Sequence, residues 1–210
     1  MNLTQIKRKN GRTYTIRSNR DRFFYPKEWI VFYDTLKKNQ KKTFDCLIST
    51  GARINEIRHL KKEDVDFDNK RLILRVTKVK ATKKEKRPRP RTIPFSTQFS
   101  KRLKGYFKGK NAEDYIGILS TPSANIALKL ALKRSGIKDY YMFSIHNIRK
   151  TFETWLLAIG IDGLRATAHC GHSSGVAASS YISADVFSYE EKVLIRKILG
   201  DLYQKKMMEF

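Results

Sequence analysis

Apolar positions recur along most of the chain at the spacing of an amphipathic helix. Pro26 opens one such stretch, and a second, around Leu47, stops at Gly51, a residue type that commonly caps a helix C-terminus. A third stretch begins near Arg53. Further helices are predicted over residues 96–108, 122–135, 144–159, 162–170, 174–182 and 188–206. The pattern therefore predicts a mainly helical chain.

One segment in the first half of the chain has the composition of strands. Residues 64–70 have the composition of a turn, 71–79 are rich in leucine and β-branched residues, and 92–94 resemble a short returning strand. Between the two strands, residues 83–91 carry dense charge and two prolines, which is typical of a loop. The expected fold class is mainly α with a small antiparallel β-sheet or hairpin.

The charge balance points to a polyanionic partner. Lysine and arginine total 44 against 20 acidic residues, a formal net charge of +24, while hydrophobic residues make up 40% of the chain. Nucleic acid fits such an excess, because each neutralised phosphate releases counterions. Ribosomal and membrane-surface proteins can be equally basic. Residues 1–22 are polar and strongly basic, so we expect a flexible arm that is disordered until DNA is present.

Other bulk features exclude several classes of protein. No apolar run reaches the roughly 18–20 residues that span a bilayer, and no signal-peptide pattern opens the chain. Cys46 and Cys170 lack metal-ligand spacing and are expected to be reduced, partly buried residues of a cytosolic protein. We therefore expect no membrane partner, and the lack of a P-loop or of clustered acidic ligands agrees with chemistry that needs no metal and no cofactor.

Two helical segments carry polar pairs that a plain core helix would not need. In residues 50–60 (TGARINEIRHL), Arg53 and Glu56 are three apart and share a helix face, as the partners of a surface ion pair also would. In residues 143–160, His146 and Arg149 are again three apart and lie near a helix start, where free N–H groups favour phosphate. Each pair by itself is weak evidence.

Two further segments complete the set. Residues 169–182 (HCGHSSGVAASSYI) place Tyr181 among small neighbours, which would leave its hydroxyl accessible. Lys78 and Lys80 lie at the end of the predicted strand, before the basic loop. A packed tyrosine and a solvated hairpin are the plain alternatives for these two segments.

Taken together, TGxRxxEI, a hairpin lysine, HxxRxTF, GHSS and a later tyrosine resemble the tyrosine recombinases, the family of Xer-like and phage integrases. His172 follows Arg149 by 23 residues, and Tyr181 follows His172 by nine. The resemblance runs from about residue 25 to 185, and the sequence of residues 23–100 is similar to that of archaeal integrases. It implies the catalytic-domain fold of DNA breaking-rejoining enzymes.

The resemblance also implies a role for each matched residue. Arg53 and Arg149 would grip the non-bridging oxygens of the scissile phosphate, and Glu56 would orient Arg53 without transferring a proton. His146 and His172 would hydrogen-bond the same phosphate. Tyr181 would attack the phosphate and form a 3′-phosphotyrosyl link.

The same resemblance assigns a general acid and leaves two lysines open for that role. Lys78 would protonate the departing 5′ oxygen, and Lys80 is its rival because residues 78 and 80 point to the same side of a strand. His169, which precedes the GHSS segment, is expected to be structural.

The implied partner is double-stranded DNA, bound by a homo-oligomer that forms a tetrameric synapse in the cytoplasm at the nucleoid. Basic residues of the loop, together with Lys150 on the helix that carries Arg149, are expected to contact it. These residues are Lys83, Lys84, Lys86, Arg87, Arg89, Arg91 and Lys150. Lys150 and Glu153 depart from the family pattern, and Glu153 would weaken DNA binding if it faced the DNA.

The expected domains are a basic arm or linker over residues 1–22, the catalytic domain over 23–186 and a C-terminal helix over 187–210. In this family such a helix often docks on a neighbouring subunit; packing on its own domain is the alternative. Its expected apolar face consists of Phe187, Tyr189, Val193, Leu194, Ile198 and Leu202. Residues 1–22 are too few for the helical core-binding domain that the family usually carries, so we expect either an excised catalytic domain, which is favoured, or a DNA clamp that is incomplete by nature.

Two rival functions remain open at this point. A type IB topoisomerase uses similar chemistry to relax DNA supercoils. The TGxRxxE and GHSS motifs favour the recombinases over this alternative. A catalytically silent DNA-binding module could keep the same fold, but the complete set of residues argues against it.

Overall fold

The structure is a computed structural model that describes residues 4–7, 11, 13–16, 22–75, 90–171 and 186–203. The helices within these ranges are α1 (Pro26–Asp34), α2 (Lys38–Thr50), α3 (Ile54–Arg58), α4 (Thr97–Tyr106), α5 (Thr121–Arg134), α6 (Ile145–Ala158), α7 (Gly163–Cys170) and α8 (Tyr189–Leu199). The strands are β1 (Thr4–Lys7), β2 (Thr13–Ile16), β3 (Val65–Asp66), β4 (Arg71–Leu74) and β5 (Arg91–Pro94). Every helix predicted within the described ranges is present; the one predicted over residues 174–182 lies outside them.

Local sequence signals account for several helix ends. Pro26 is the first residue of α1, where its missing N–H costs nothing. Gly51 ends α2 in the left-handed conformation, with φ of 58°. The Asp162 carboxylate accepts hydrogen bonds from the N–H groups of Leu164 and Arg165 and so begins α7. These boundaries follow from the chain itself and agree with the pattern.

Helix α6 lies at the centre of the fold and packs against α2, α5, α7 and α8. Its buried positions include polar as well as apolar residues, so it is not an ordinary amphipathic surface helix. They are Asn147, Ile148, Arg149, Thr151, Phe152, Thr154, Trp155, Leu156 and Ala158. An element buried on most sides is a rigid support for the functional groups that it carries.

The segment before α1 is held to α6 by hydrogen bonds. The Phe24 N–H donates to Thr151 Oγ1 over 2.9 Å, and Trp155 Nε1 donates to the Phe24 carbonyl over 3.0 Å. One residue earlier, the Arg22 carbonyl accepts a 2.7 Å hydrogen bond from Asn147 Nδ2. Arg22 and Phe24 are therefore part of the packed core that surrounds α6.

Parts of the expected arm over residues 1–22 have a defined conformation in the structure, and its flexibility without DNA stays a prediction. The Arg22 side chain is buried and pairs with Glu28 at 2.6 Å and with Asp139 at 2.7 Å. Strands β1 and β2 pair in antiparallel register, with Thr4 opposite Ile16. The missed signal is Asn10-Gly11 between alternating residues, a strong hairpin pattern.

Strands β3, β4 and β5 form a three-stranded antiparallel sheet in that order. Leu72 on β4 lies opposite Ile93 on β5, and both are buried, so the alternation of the two strands fixes their register. The predicted hairpin is present; the part of its first strand beyond Arg75, and its basic loop, lie outside the described residues. The sheet brings Arg91, the first residue of β5, back toward the helices.

Helix α8 packs on its own domain, against α1, α2 and α6. Of the residues expected on the apolar face, Phe187 and Leu202 are buried and Ile198 is partly buried, whereas Tyr189 and Val193 are exposed. The helix also buries Ile195 and Leu199. The helix ends at Gly200, short of the predicted residue 206. Docking of the tail on a neighbouring subunit stays a prediction.

Candidate active site

The centre of the site is the carboxylate of Glu56, which is 2% exposed. Arg53 and Glu56 do not simply share a helix face as predicted. Arg53 is the residue before α3, and the Glu56 side chain reaches back to accept a 2.7 Å hydrogen bond from the Arg53 backbone N–H. Glu56 Oε1 also pairs with Arg53 Nη1 at 3.1 Å. One carboxylate thus fixes both the backbone and the guanidinium of Arg53.

Arg91 makes the closer contact with the same carboxylate. Its Nη1 donates to Glu56 Oε1 at 2.7 Å and its Nη2 to Oε2 at 2.9 Å, a bidentate pair. Burial by itself raises the pKa of Glu56, but the Arg91 hydrogen bonds and charge, with the Arg53 N–H, bring that pKa below its ordinary value of 4.5. Glu56 is therefore an ionised acceptor that holds arginines.

Arg149 lies at the buried base of the site. Its Nη1 donates to the Gly51 carbonyl over 2.9 Å, and its Nη2 donates to the Cys170 carbonyl. Burial is the main cause that lowers the pKa of Arg149, and the positive charges of Arg53 and Arg91 add to it. A guanidinium keeps its proton in such surroundings, so the charge is permanent. Arg149 ties the end of α2 to the end of α7.

Gly51 is required here by its backbone and by its surroundings. A Cβ at this position would lie 2.2 Å from Cδ1 of Phe152 on α6. Its φ of 58° also disfavours a residue with a side chain. The glycine of the TGxR motif therefore allows α2 to end against α6, where its carbonyl receives Arg149.

His146 and Lys150 lie on the same helix as Arg149. His146 is exposed in the first turn of α6, one turn before Arg149, and Lys150 is half-buried. The helix start is formed partly by Asn147, whose Oδ1 accepts a 2.7 Å hydrogen bond from the Ser144 N–H. The structure thus places His146 at the surface near the buried arginine.

His169 is structural, as expected. It is buried, its Nε2 lies 2.9 Å from the Thr50 carbonyl and its Nδ1 lies 2.6 Å from the Tyr203 hydroxyl. Burial lowers its pKa to about 4, so the imidazole is neutral at neutral pH. It joins α2, α7 and the segment after α8 behind the arginines.

The structure brings Arg53, Glu56 and Arg149 together and adds Arg91, for which the sequence predicts a DNA contact as part of the basic loop. No local signal identifies Arg91, because its partner Glu56 lies 35 residues earlier in the chain. Several predicted site residues lie outside the described residues. They are Lys78, Lys80, Lys83, Lys84, Lys86, Arg87, Arg89, His172 and Tyr181.

The described part of the site is suited to an anion. Arg53, Arg91 and Arg149 supply three positive charges around the carboxylate of Glu56. In the described ranges no group of three His, Cys, Asp or Glu side chains could hold a metal ion. None of the described helices combines the length and apolar content of a membrane span.

Comparison with a protein-family model shows to which family the chain belongs. The model of the phage integrase family matches residues 23–186, which is more than half of the sequence. The chain belongs to the phage integrase family. The predicted resemblance to the tyrosine recombinases and the predicted fold class are both confirmed.

Curated relatives agree with this placement. The chain is 25% identical over 175 residues to the tyrosine recombinase XerA of Thermococcus kodakarensis, an alignment that covers 79% of this chain and 59% of the relative. It is 30% identical over 136 residues to XerA of Saccharolobus solfataricus, covering 65% and 43%. It is 27% identical to a tyrosine recombinase of Pseudothermotoga lettingae, covering 96% and 70%. The chain thus spans about half the length of the two XerA relatives.

Solved structures show the same fold. A crystal structure of XerA recombinase superposes with a TM-score of 0.62 at 18% identity, covering 79% of this chain and 62% of the other. The Tn1549 transposon integrase in complex with transposon right end DNA gives a TM-score of 0.60 at 18% identity, covering 85% and 66%. A lambda integrase dimer bound to a core site gives 0.56 at 17% identity, covering 75% and 58%.

Proposed function

We propose that this chain carries the catalytic domain of a site-specific DNA recombinase or integrase that cleaves and rejoins DNA through a 3′-phosphotyrosyl intermediate. The observation that carries the proposal is the cluster of Arg53, Arg91 and Arg149 around the buried carboxylate of Glu56. A permanently charged, preorganised cluster of guanidinium groups is suited to the charge of a phosphoryl-transfer transition state.

Arg53 and Arg149 are the proposed phosphate ligands. The Arg53 side chain is 47% exposed, so it can meet a DNA backbone that approaches the surface. Arg149 is held by hydrogen bonds to two backbone carbonyls, and it contributes a positive charge at the buried base of the site. Because both groups are held before DNA arrives, little reorganisation is needed when negative charge builds up on the phosphate oxygens.

Tyr181 is the proposed nucleophile. Its oxygen forms a bond to phosphorus, the bond from phosphorus to the 5′ oxygen breaks, and Lys78 gives that oxygen a proton. Lys80 is the alternative proton donor. His146 and His172 hydrogen-bond the phosphate, and His146 also assists in removing the tyrosine proton. The phosphotyrosyl bond conserves the energy of the broken bond, so a second 5′-hydroxyl can reverse the step without an added cofactor.

Double-stranded DNA is the proposed partner, and a tetramer on DNA is the proposed working assembly. Support comes from the net charge of +24 and from integrase structures of the same fold that were determined in complex with DNA. The basic loop and Lys150 would follow the DNA phosphates. Such an enzyme would work in the cytoplasm at the nucleoid.

A nicked suicide substrate tests the proposed chemistry. The nick lets the short downstream piece, which bears the free 5′-hydroxyl, diffuse away, so the covalent protein–DNA adduct accumulates and is counted on a denaturing gel. We expect adduct with the unaltered chain and none with Tyr181→Phe, whereas Tyr189→Phe, a change at an exposed tyrosine, should form it normally. Failure of the unaltered chain to form adduct, or adduct formation by Tyr181→Phe, would contradict the proposal.

A matched pair of arginine variants tests the phosphate ligands. Arg53 precedes α3 and Arg58 ends it, and Arg58 is exposed with a contact to Asn55. We expect Arg53→Ala to slow adduct formation by about 100- to 1,000-fold, as loss of one transition-state donor does. Arg58→Ala should cleave at the normal rate. Equal effects of the two substitutions would exclude a specific role for Arg53.

A further inference from the structure

Arg91 contacts two separate parts of the site with all three nitrogens of its guanidinium group. Nη1 and Nη2 donate to Glu56, as described above, and Nε donates to the His169 carbonyl over 3.1 Å. We infer that Arg91 is a positioning residue that sets Arg53 through Glu56 and holds the end of α7 that leads to His172. This inference rests on the proposed recombinase chemistry.

The contact with Glu56 determines where Arg53 can lie. Glu56 Oε1 accepts from both Arg91 and Arg53, while Oε2 accepts from Arg91 and from the Arg53 backbone N–H. A carboxylate with these four donors has one orientation. Without Arg91 the buried carboxylate would lose its closest positive partner and could rotate, and the Arg53 guanidinium would move with it.

The contact with α7 reaches the last described residues before His172. Gly171 lies against the side chain of Arg91, since a Cβ there would be 3.1 Å from Arg91 Cδ and 3.2 Å from Nε. Because Gly171, the first residue of the GHSS motif, has no side chain, the Arg91 side chain can lie directly against it. Because the next residue along the chain is His172, a shift of Arg91 would displace the start of the segment that carries this histidine and Tyr181.

The position of Arg91 in the hairpin adds a third connection. It is the first residue of β5, the strand on which the chain returns from the basic loop. Its side chain is 16% exposed and its guanidinium donates inward, so a contact with DNA through this group is not what the structure favours. One side chain therefore links the returning strand, the phosphate ligand Arg53 and the approach to His172.

An arginine is specifically needed for this arrangement. A planar guanidinium can satisfy two carboxylate oxygens and a carbonyl at once, whereas a lysine ammonium is a point charge on a flexible stem. Arg91→Lys keeps the charge but cannot keep the geometry. The matched control is Arg102→Lys, since Arg102 Nε likewise donates to a buried carboxylate, that of Asp45, at 2.8 Å.

The first experiment separates binding from chemistry. Adduct formation on the nicked substrate, DNA affinity and Tm are measured for the unaltered chain, Arg91→Lys and Arg102→Lys. We expect Arg91→Lys to slow adduct formation by about 100-fold, as a displacement near 1 Å in an active site does, with DNA affinity changed by less than about threefold. Arg102→Lys should affect Tm without a comparable loss of rate. Equal rate losses in the two variants would overturn the inference.

The second experiment asks whether Arg91 acts through Arg53. The substrate carries a methyl group in place of one charged oxygen of the scissile phosphate, in each of its two configurations. The configuration that removes the oxygen held by Arg53 should shrink the rate penalty of Arg53→Ala, and the penalty of Arg91→Lys should shrink with it. A purely structural role predicts the same Arg91→Lys penalty on every substrate and would overturn the inference.

The outcomes also keep the two proposals apart. If the unaltered chain forms no adduct, the proposed function fails and the role of Arg91 fails with it. If the unaltered chain forms adduct and Arg91→Lys does so at the same rate, the positioning role alone is excluded. Should Arg91→Lys fail to fold, Arg91→Gln, which retains a donor group of smaller size, is measured in the same way.

Discussion

Glu56→Gln is the substitution with the clearest expected effect on the fold. Glutamine has nearly the same shape, but it replaces an ionised carboxylate by a neutral amide with one acceptor oxygen. The amide N–H₂ would face the N–H donors that now meet a carboxylate oxygen. Arg53, Arg91 and Arg149 would then carry three positive charges with no negative charge between them.

The size of the effect follows from burial. The side chains of Glu56 and Arg91 are 2% and 16% exposed, so solvent screens their pairing weakly. Removing one partner of a buried ion pair costs about 3–5 kcal/mol, and the retained acceptor places this case near about 3 kcal/mol. For a chain of this size that loss lowers Tm by about 6–12 °C.

Urea denaturation at pH 7, with Tm as a second readout, measures the loss. Glu63→Gln is the control, because Glu63 is 39% exposed and solvent screens its ion pair with Lys61. If Glu56→Gln is no more destabilising than Glu63→Gln, the Glu56 carboxylate does not hold the arginine cluster, and the site would need another explanation.

The pH dependence gives an independent check on Glu56. Its pKa lies below the ordinary value of 4.5, so the folded state binds this proton less readily than the unfolded state. The stabilisation is therefore complete above about pH 4.5 and is lost as the pH falls through the folded-state pKa. The free-energy difference between the unaltered chain and Glu56→Gln should shrink below pH 4.5 and stay constant above it.

Two further predictions concern the support of the site. Gly51→Ala should lower the free energy of unfolding in urea by about 2–4 kcal/mol, since it combines left-handed backbone strain with a clash against Phe152. The control is Gly136→Ala, where φ is 74° and the surrounding space is open, and its cost should be about 1–2 kcal/mol. Equal losses in the two variants would exclude the clash. Burial lowers the pKa of His169 from 6.5 to about 4, so the neutral imidazole contributes fully to the stability of the fold above pH 6.5. The free energy of unfolding then falls as the pH drops from 6.5 to 4, by up to about 1.4 kcal/mol per pH unit. His169→Gln should flatten this slope, His59→Gln at an exposed position should not, and an unchanged slope in His169→Gln would refute the assignment.

The pattern of the chain was sufficient for the elements that depend on local signals. Pro26, Gly51 and the spacing of apolar residues placed α1, α2 and α6 close to their observed bounds. In residues 1–22 the basic composition predicts a flexible arm, whereas Asn10-Gly11 and its alternating neighbours are the signal of the observed hairpin. The apolar pattern predicts that α8 continues past Gly200, but there the chain turns onto the start of α4, where the Asp201 N–H donates to Gln98.

The sequence by itself determined the family resemblance, the mainly helical class and the identity of Arg53, Glu56, His146 and Arg149 as candidates, since motif order and residue spacing are properties of the linear chain. Tertiary structure decided which charged groups meet. Arg22 became a core residue because Asp139, 117 positions later, folds onto it. Arg91 became part of the site because the sheet returns it to Glu56 and to α7. Partners so distant in sequence leave no periodic signal, because only the packing of the elements brings them within hydrogen-bond distance.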